Sequence, residues 1–462
     1  MQVMKWSVMA LAIAAATSQM AYADEQDDAT PAEENISSQA ASNGFIEDAD
    51  LTLLNRNFAF YRNFNHGADD QNYRNEWAHG FMTTFTSGFT QGVIGFGADA
   101  FGQVGLKLNS GEGTGGTGLL PVDGSNPEKG QDEYGLAGGA VKARVSETVL
   151  AFGQQRPESP VFATGDSRLL PSWATGTTLA SDEITDLHIQ GGHFYSGSGS
   201  ASTNQDGELS TVYGGTDFNT ADYIGGDYTF NDNLSMGLHA SKYEDLWNQY
   251  YADLYHTFSF SDDVSLSTSL NYYNTQDTGD ANGGEISNNT YSAAFALAVG
   301  AQTFTLAHQR VNGDTPFDYL NAGGSDGNSI WLANSVQYSD FNAPGEKSYQ
   351  ARYDLDMTTL GVPGLSFMAR YITGSGGNGT DADVNGAYNS VVDGPLYGHG
   401  GDEWERDLEV KYVVQEGAAK DLSFRVRQAT WRSNNSYFSG GEDFSTGLDE
   451  VRIITEYPLD IL

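Results

Sequence analysis

The sequence has 462 residues, with 61 Asp and Glu against 22 Lys and Arg, a formal charge of −39 and no cysteine. These values exclude a disulfide scaffold, a thiol enzyme and a Cys-ligated metal site, and the lack of a basic surface excludes a nucleic-acid binder. With 56 glycines and 12% aromatic residues, the chain reads as acidic and β-built rather than as a solvating disordered polymer.

Residues 1–23 have the form of a secretory signal. Lys5 supplies the positive start, Trp6 to Ala16 is an apolar run too short to span a bilayer, and Ala21-Tyr22-Ala23 offers small residues for cleavage. Residues 24–43 follow as an acidic, aperiodic lead-in, expected to be disordered. Beyond the signal no run of 18 apolar residues occurs, so a transmembrane helix is excluded. Residues 44–462 are read as one domain.

From Leu51 onward the apolar signal has period two. Val264, Leu266, Thr268, Leu270 and Tyr272 share one face, and Ser265, Ser267, Ser269 and Asn271 the other. Tyr291 to Val299, Leu422 to Val426 and Val451 to Tyr457 repeat the pattern. Segments of about ten residues that alternate in this way predict the strands of an all-β, antiparallel transmembrane barrel. Short connections at Asn231-Asp232-Asn233 and Ser261-Asp262-Asp263 predict hairpins. Long Gly/Asn/Asp/Ser stretches at Gly111 to Asp132, Asp277 to Asn289 and Gly374 to Gly401 predict the opposite, long-loop side. Tyr250-Tyr251, Tyr272-Tyr273 and Tyr457 are placed for aromatic girdles. At roughly 23 residues per strand with its connection, the length accommodates about 16 to 20 strands, wide enough for a water-filled channel.

The few cations fall consistently on the polar face. Lys142 and Arg144 oppose Val141, Ala143 and Val145; Arg352 opposes Tyr349, Ala351 and Tyr353; Arg370 opposes Phe367 and Tyr371. Lys411 opposes Val410 and Tyr412, Arg425 and Arg427 oppose Phe424 and Val426, and Arg452 opposes Val451 and Ile453. Avoidance of lipid explains their direction. Their number predicts a ladder on which guanidinium groups hold carboxylates in succession. Arg56 is a further member in a stretch that alternates poorly. The acidic excess is then expected mostly on loops. Residues 156–181, with Val161, Phe162, Leu169, Leu170 and Trp173, and residues 312–329, with Asp314 and Asp318, are candidate loops folded inward to narrow the pore.

Several segments resemble the OprD-type substrate-specific porins of Gram-negative outer membranes. They are Gly44 to Asp48 leading into Leu53 to Asn57, Gly88 to Gly92, Asn312 to Tyr319, Leu332 to Phe341 and Asp421 to Arg427. The resemblance implies an 18-stranded barrel, a monomer or loose trimer, that passes small carboxylates or basic amino acids. No cofactor and no metal are expected. It also implies an arginine ladder, with Arg168 and Asp314 at the eyelet. The chain ends in Ile461-Leu462, where many outer-membrane proteins end in Phe or Trp.

Gly323-Gly324-Ser325-Asp326-Gly327 fits G-x-S-x-G without a strand–turn–helix context, and the histidines lack metal-ligand spacing. The expected function is passive, substrate-selective diffusion across the outer membrane, without catalysis. The rival is a barrel enzyme or a surface-binding barrel.

Overall fold

The computed structural model describes residues 37–65, 72–324, 327–392, 394–439 and 446–462. The signal and most of the lead-in, and Ser325 and Asp326 of the G-x-S-x-G segment, lie outside the described residues.

The alternating segments form eighteen antiparallel strands, paired in chain order and closed by pairing of the first with the last. They begin with β1 (Asp50–Phe64), β2 (Tyr73–Thr86), β3 (Gly95–Lys107), β4 (Glu133–Val145), β5 (Thr148–Gln155) and β6 (Trp173–Ile184). Next come β7 (Leu187–Ser198), β8 (Ala221–Asn231), β9 (Leu234–Tyr243), β10 (Trp247–Ser261), β11 (Val264–Asp277) and β12 (Ser287–Val299). The wall ends with β13 (Gln302–Asn312), β14 (Lys347–Asp356), β15 (Leu365–Asn378), β16 (His399–Val413), β17 (Ser423–Ser433) and β18 (Gly447–Asp460). Closure is what lipid demands, because hydrocarbon offers no partner to an open strand edge. The β1–β18 register runs from Thr52↔Asp460 to Phe64↔Leu448.

Alternation sets the two faces. Phe258, Leu270, Phe295, Leu306, Val426 and Ile453 are exposed on the outside, where the membrane covers them. Period two also divides the tyrosine doublets. Tyr250 and Tyr272 face out, but Tyr251 and Tyr273 are buried inside, so only one of each pair can serve a girdle. Two-residue turns at 146–147, 232–233, 262–263 and 300–301 mark the periplasmic end. Ser146 and Gly300 adopt φ of 54° and 56°, the left-handed conformation that tight hairpins use.

Three boundaries differ from expectation. Strands β15 and β16 extend to Asn378 and from His399, because main-chain pairing through Ser375↔Asp402 tolerates the glycines. Trp173 to Ser181 belongs to β6, so the preceding loop ends at Ser172. Ser37 to Asn43 are seated rather than disordered: Gln39 is buried, its N–H donates to Ser146 O at 3.2 Å, and Ser42 Oγ donates to Phe89 O at 2.6 Å. Polar docking of this kind leaves no apolar signature in the composition.

Candidate functional site

Two long loops enter the barrel. The third, residues 156–172, lays Val161 and Phe162 into an aromatic cluster with the inward side chains Phe194, Tyr223, Tyr243 and Trp247. Tyr243 and Tyr273 donate from their hydroxyls to Val161 O at 2.9 Å and Pro160 O at 3.0 Å. Leu169 and Leu170 pack with Phe58, Phe60 and Met82 of the β1–β2 wall. Glycine makes room there, since a Cβ on Gly105 would lie 2.9 Å from Leu169 Cδ2. The seventh loop, residues 313–346, adds Phe317, Tyr319, Leu320 and Leu332 to the first cluster. It then crosses to the other wall, where Tyr338 and Ser339 N–H groups donate to Glu405 at 2.9 and 2.8 Å. The two loops meet at an antiparallel bridge between Thr164 and Gly327.

On the inner face of β14 to β18 and β1, the predicted cations form one continuous band. Arg352 stands opposite Arg370, which is opposite Asp407; Lys411 stands opposite Arg425; and Arg427 is flanked by Glu409 and Arg452. Acids are interleaved throughout. Arg352 grips Asp354 with two bonds of 2.7 Å, and Arg370 meets Asp407 at 2.6 Å. Arg452 meets Glu450 at 2.7 Å and donates to Gln337 O at 2.9 Å. Arg56 bridges Glu456 and Asp166, both at 2.7 Å, and donates to the carbonyls of Arg168 and Leu169.

These partners are mostly strand residues. The acids that meet the cations therefore sit on the wall, with Asp166 the contribution of a loop. Asp407, Glu409 and Lys411 share one parity, so the face carrying the base carries the acids too.

Cations outnumber the carboxylate they meet around Glu409. Arg425 and Arg427 share a single carboxylate, Glu409, at 3.3 and 3.1 Å, and neither Nε makes a hydrogen bond. Across from Arg425, Lys411 has no ion-pair partner among the described residues. Arg425 and Arg427 side chains are 32% and 22% exposed, against 5% for Arg452 and 8% for Arg56.

Lys142 and Arg144 lie apart from this band, on β4 near the periplasmic mouth. Phe89 covers both, with its ring centre 5.0 Å from Lys142 Nζ and 4.1 Å from Arg144 Cζ. Lys142 pairs with Asp99 at 2.6 Å, and Arg144 donates to Gln39 at 3.0 Å. Sequence reasoning missed Arg62, which shares parity with Arg56, pairs with Glu450 at 3.0 Å and lies over Phe60 and Tyr338.

Among the loop residues, Asp318 is buried and accepts from the N–H groups of Tyr213, Gly214 and Tyr319 at 3.0, 2.7 and 2.8 Å and from Tyr388 at 3.1 Å. Burial pushes its carboxyl upward, against the pull of those donors. It thus anchors the seventh loop. Burial also opposes ionisation of Asp166, but Arg56 and Arg156, at 2.7 and 3.2 Å, outweigh it and hold that carboxyl low. Arg168 donates from Nε to Thr117 O at 3.1 Å, while Asp314 is exposed, and no hydrogen bond or ion pair joins the two among the described residues.

A family model described as outer membrane porin, OprD family, matches residues 43–461. Porin D of Pseudomonas aeruginosa is 48% identical over 100% of both chains. Porin-like protein GalP of Pseudomonas putida is 34% identical over 92% of this chain and 95% of its own. The crystal structure of Pseudomonas aeruginosa OprD superposes with a TM-score of 0.78 at 46% identity, covering 93% of this chain and 100% of that one. A crystal structure of Pseudomonas aeruginosa OpdK with vanillate gives 0.78 at 33% identity, covering 90% of this chain and 100% of that one. These relatives are channels and not enzymes. With its closed eighteen-stranded barrel and inward loops, the chain belongs to the OprD family of outer membrane porins.

Proposed function

We propose that this porin passes small carboxylate-bearing solutes, organic acids or amino acids, by passive diffusion along the basic band of β14 to β18 and β1. The observation that carries the reading is the surplus charge at Lys411, Arg425 and Arg427, three cations against the one carboxylate of Glu409. A solute carboxylate arriving there exchanges water for the partly exposed guanidinium groups of Arg425 and Arg427, which have one protein carboxylate between them. The flanking acids keep each site weak, which a channel requires if the solute is to leave again. In this reading Arg452, Arg370, Arg352 and Arg56 extend the ladder, Lys142 and Arg144 serve the periplasmic exit, and Arg168, Asp314 and Asp318 belong to the constriction loops.

Support also comes from the relative crystallised with vanillate, itself a carboxylate. Around the barrel we place outer-membrane lipid and lipopolysaccharide, with the protein a monomer or a loose trimer. Liposome swelling over a panel of monocarboxylates, amino acids and neutral sugars of matched size tests the function. Carboxylates are expected to enter faster than the sugars, and equal rates across the panel would overturn the reading.

A further inference from the structure

Two cations face each other on the outside of the barrel. Arg310, near the extracellular end of β13, is the direct cross-strand partner of Lys347, the first residue of β14. Both share parity with the outward residues Leu306 and Tyr349. Like charges directly opposite each other destabilise a strand pair unless an anion lies between them. The protein supplies none: among the described residues neither side chain is ion-paired. Arg310 Nε donates to Asn312 at 2.9 Å, and its Nη1 has no hydrogen-bond partner. Elsewhere on the outer face Arg432 does have a carboxylate, Asp449, at 2.9 Å.

The surroundings fix the depth. One step toward the membrane, His308 stacks on Tyr349 with ring centres 4.6 Å apart and meets Tyr291 edge-on at 6.0 Å. Such rings lie at the headgroup level of a bilayer. Below them Phe295, Phe304 and Leu306 form an exposed apolar track. We propose that Arg310 and Lys347 form a docking site for a phosphate of lipopolysaccharide in the outer leaflet, with its acyl chains along that track. The proposal needs only the outer-membrane location and is independent of which solute the lumen passes.

Native mass spectrometry of the porin in phosphatidylcholine nanodiscs reads the bound lipid when a few per cent of bisphosphorylated or dephosphorylated lipid A is included. Wild type is expected to retain the phosphorylated form. At about 1 kcal/mol per cation near a membrane surface, Arg310→Gln with Lys347→Gln should lower occupancy by about 30-fold, and the exposed Lys347→Gln alone by about fivefold. Arg310→Lys should restore most of it. Unchanged heat-modifiable migration and single-channel conductance serve as the folding control. Retention unaffected by Lys347→Gln, or equal retention of dephosphorylated lipid A by wild type, would overturn the site.

Discussion

Arg427 and Arg452 stand opposite each other on neighbouring strands, and each shares its carboxylate with a second arginine. Arg452 and Arg62 hold the buried Glu450 at 2.7 and 3.0 Å, whereas Arg427 and Arg425 hold Glu409 at 3.1 and 3.3 Å and keep 22% and 32% of their side chains exposed. The consequence is that the surplus charge at Glu409 is open to the lumen, while that at Glu450 is buried. Arg425→Glu together with Arg427→Glu should cut carboxylate uptake by about tenfold or more, given ~1.5–3 kcal/mol for each charge-assisted hydrogen bond. Neutral sugars should enter as before, and the reversal potential should move toward cations. Unchanged uptake would remove the ladder from the mechanism.

Glu409→Gln should act in the opposite sense. Without its charge, Arg425 and Arg427 hold a solute carboxylate more tightly, by roughly 1 kcal/mol, or about fivefold, if the partly exposed pair is typical. Conductance in a carboxylate salt should then saturate at lower concentration and reach a lower ceiling.

Arg56 ties the third loop to the wall through Asp166, Glu456 and two backbone carbonyls. Breaking such a buried network by removing one partner costs about 3–5 kcal/mol. Arg56→Ala should release the loop, raise single-channel conductance and admit larger sugars in swelling assays, while barrel assembly persists.

The same tether responds to acid. The folded carboxyl of Asp166 lies below its ordinary value of 3.8, so its contribution is complete above that pH and is lost as pH falls through the lower, folded value. Current fluctuations should stay constant from neutrality down to about pH 4 and grow only below it. Asp166→Asn should show the acid behaviour at neutral pH, and a recording insensitive to this substitution would detach Asp166 from loop control.

Asp318→Ala strips the acceptor from three backbone N–H groups and the Tyr388 hydroxyl. Each unsatisfied buried donor costs about 1–3 kcal/mol. The seventh loop should become sensitive to limited proteolysis, with Asp318→Asn intermediate because its amide oxygen still accepts.

Most of the barrel was legible because lipid imposes a strict alternation, and a cation such as Arg425 between Phe424 and Val426 has only one direction available to it. The interior was less so. Phe58 and Phe60 face inward because Leu169 and Leu170 cover them, so β1 has apolar residues on both sides and its period disappears; Arg62 was lost with it. Glu403 and Glu405 look like ordinary polar-face residues until the seventh loop is seen to bring Tyr338 and Ser339 to them. Contacts between a wall and a distant loop leave no periodic trace, and the acid–base interleaving is made of such contacts together with pairs across strands. The inward course of the third loop could be anticipated because its apolar residues had no other place to go.

Pairing of β1 with β18 joins the first strand of the wall to the last. The wall therefore cannot be finished until its final segment has been synthesised and delivered, and a premature stop codon anywhere upstream leaves two unsealed margins in hydrocarbon. Nonsense mutations anywhere before the codons of β18 should consequently be equivalent, each abolishing permeation outright, whereas changes to an exposed surface loop leave the ring whole.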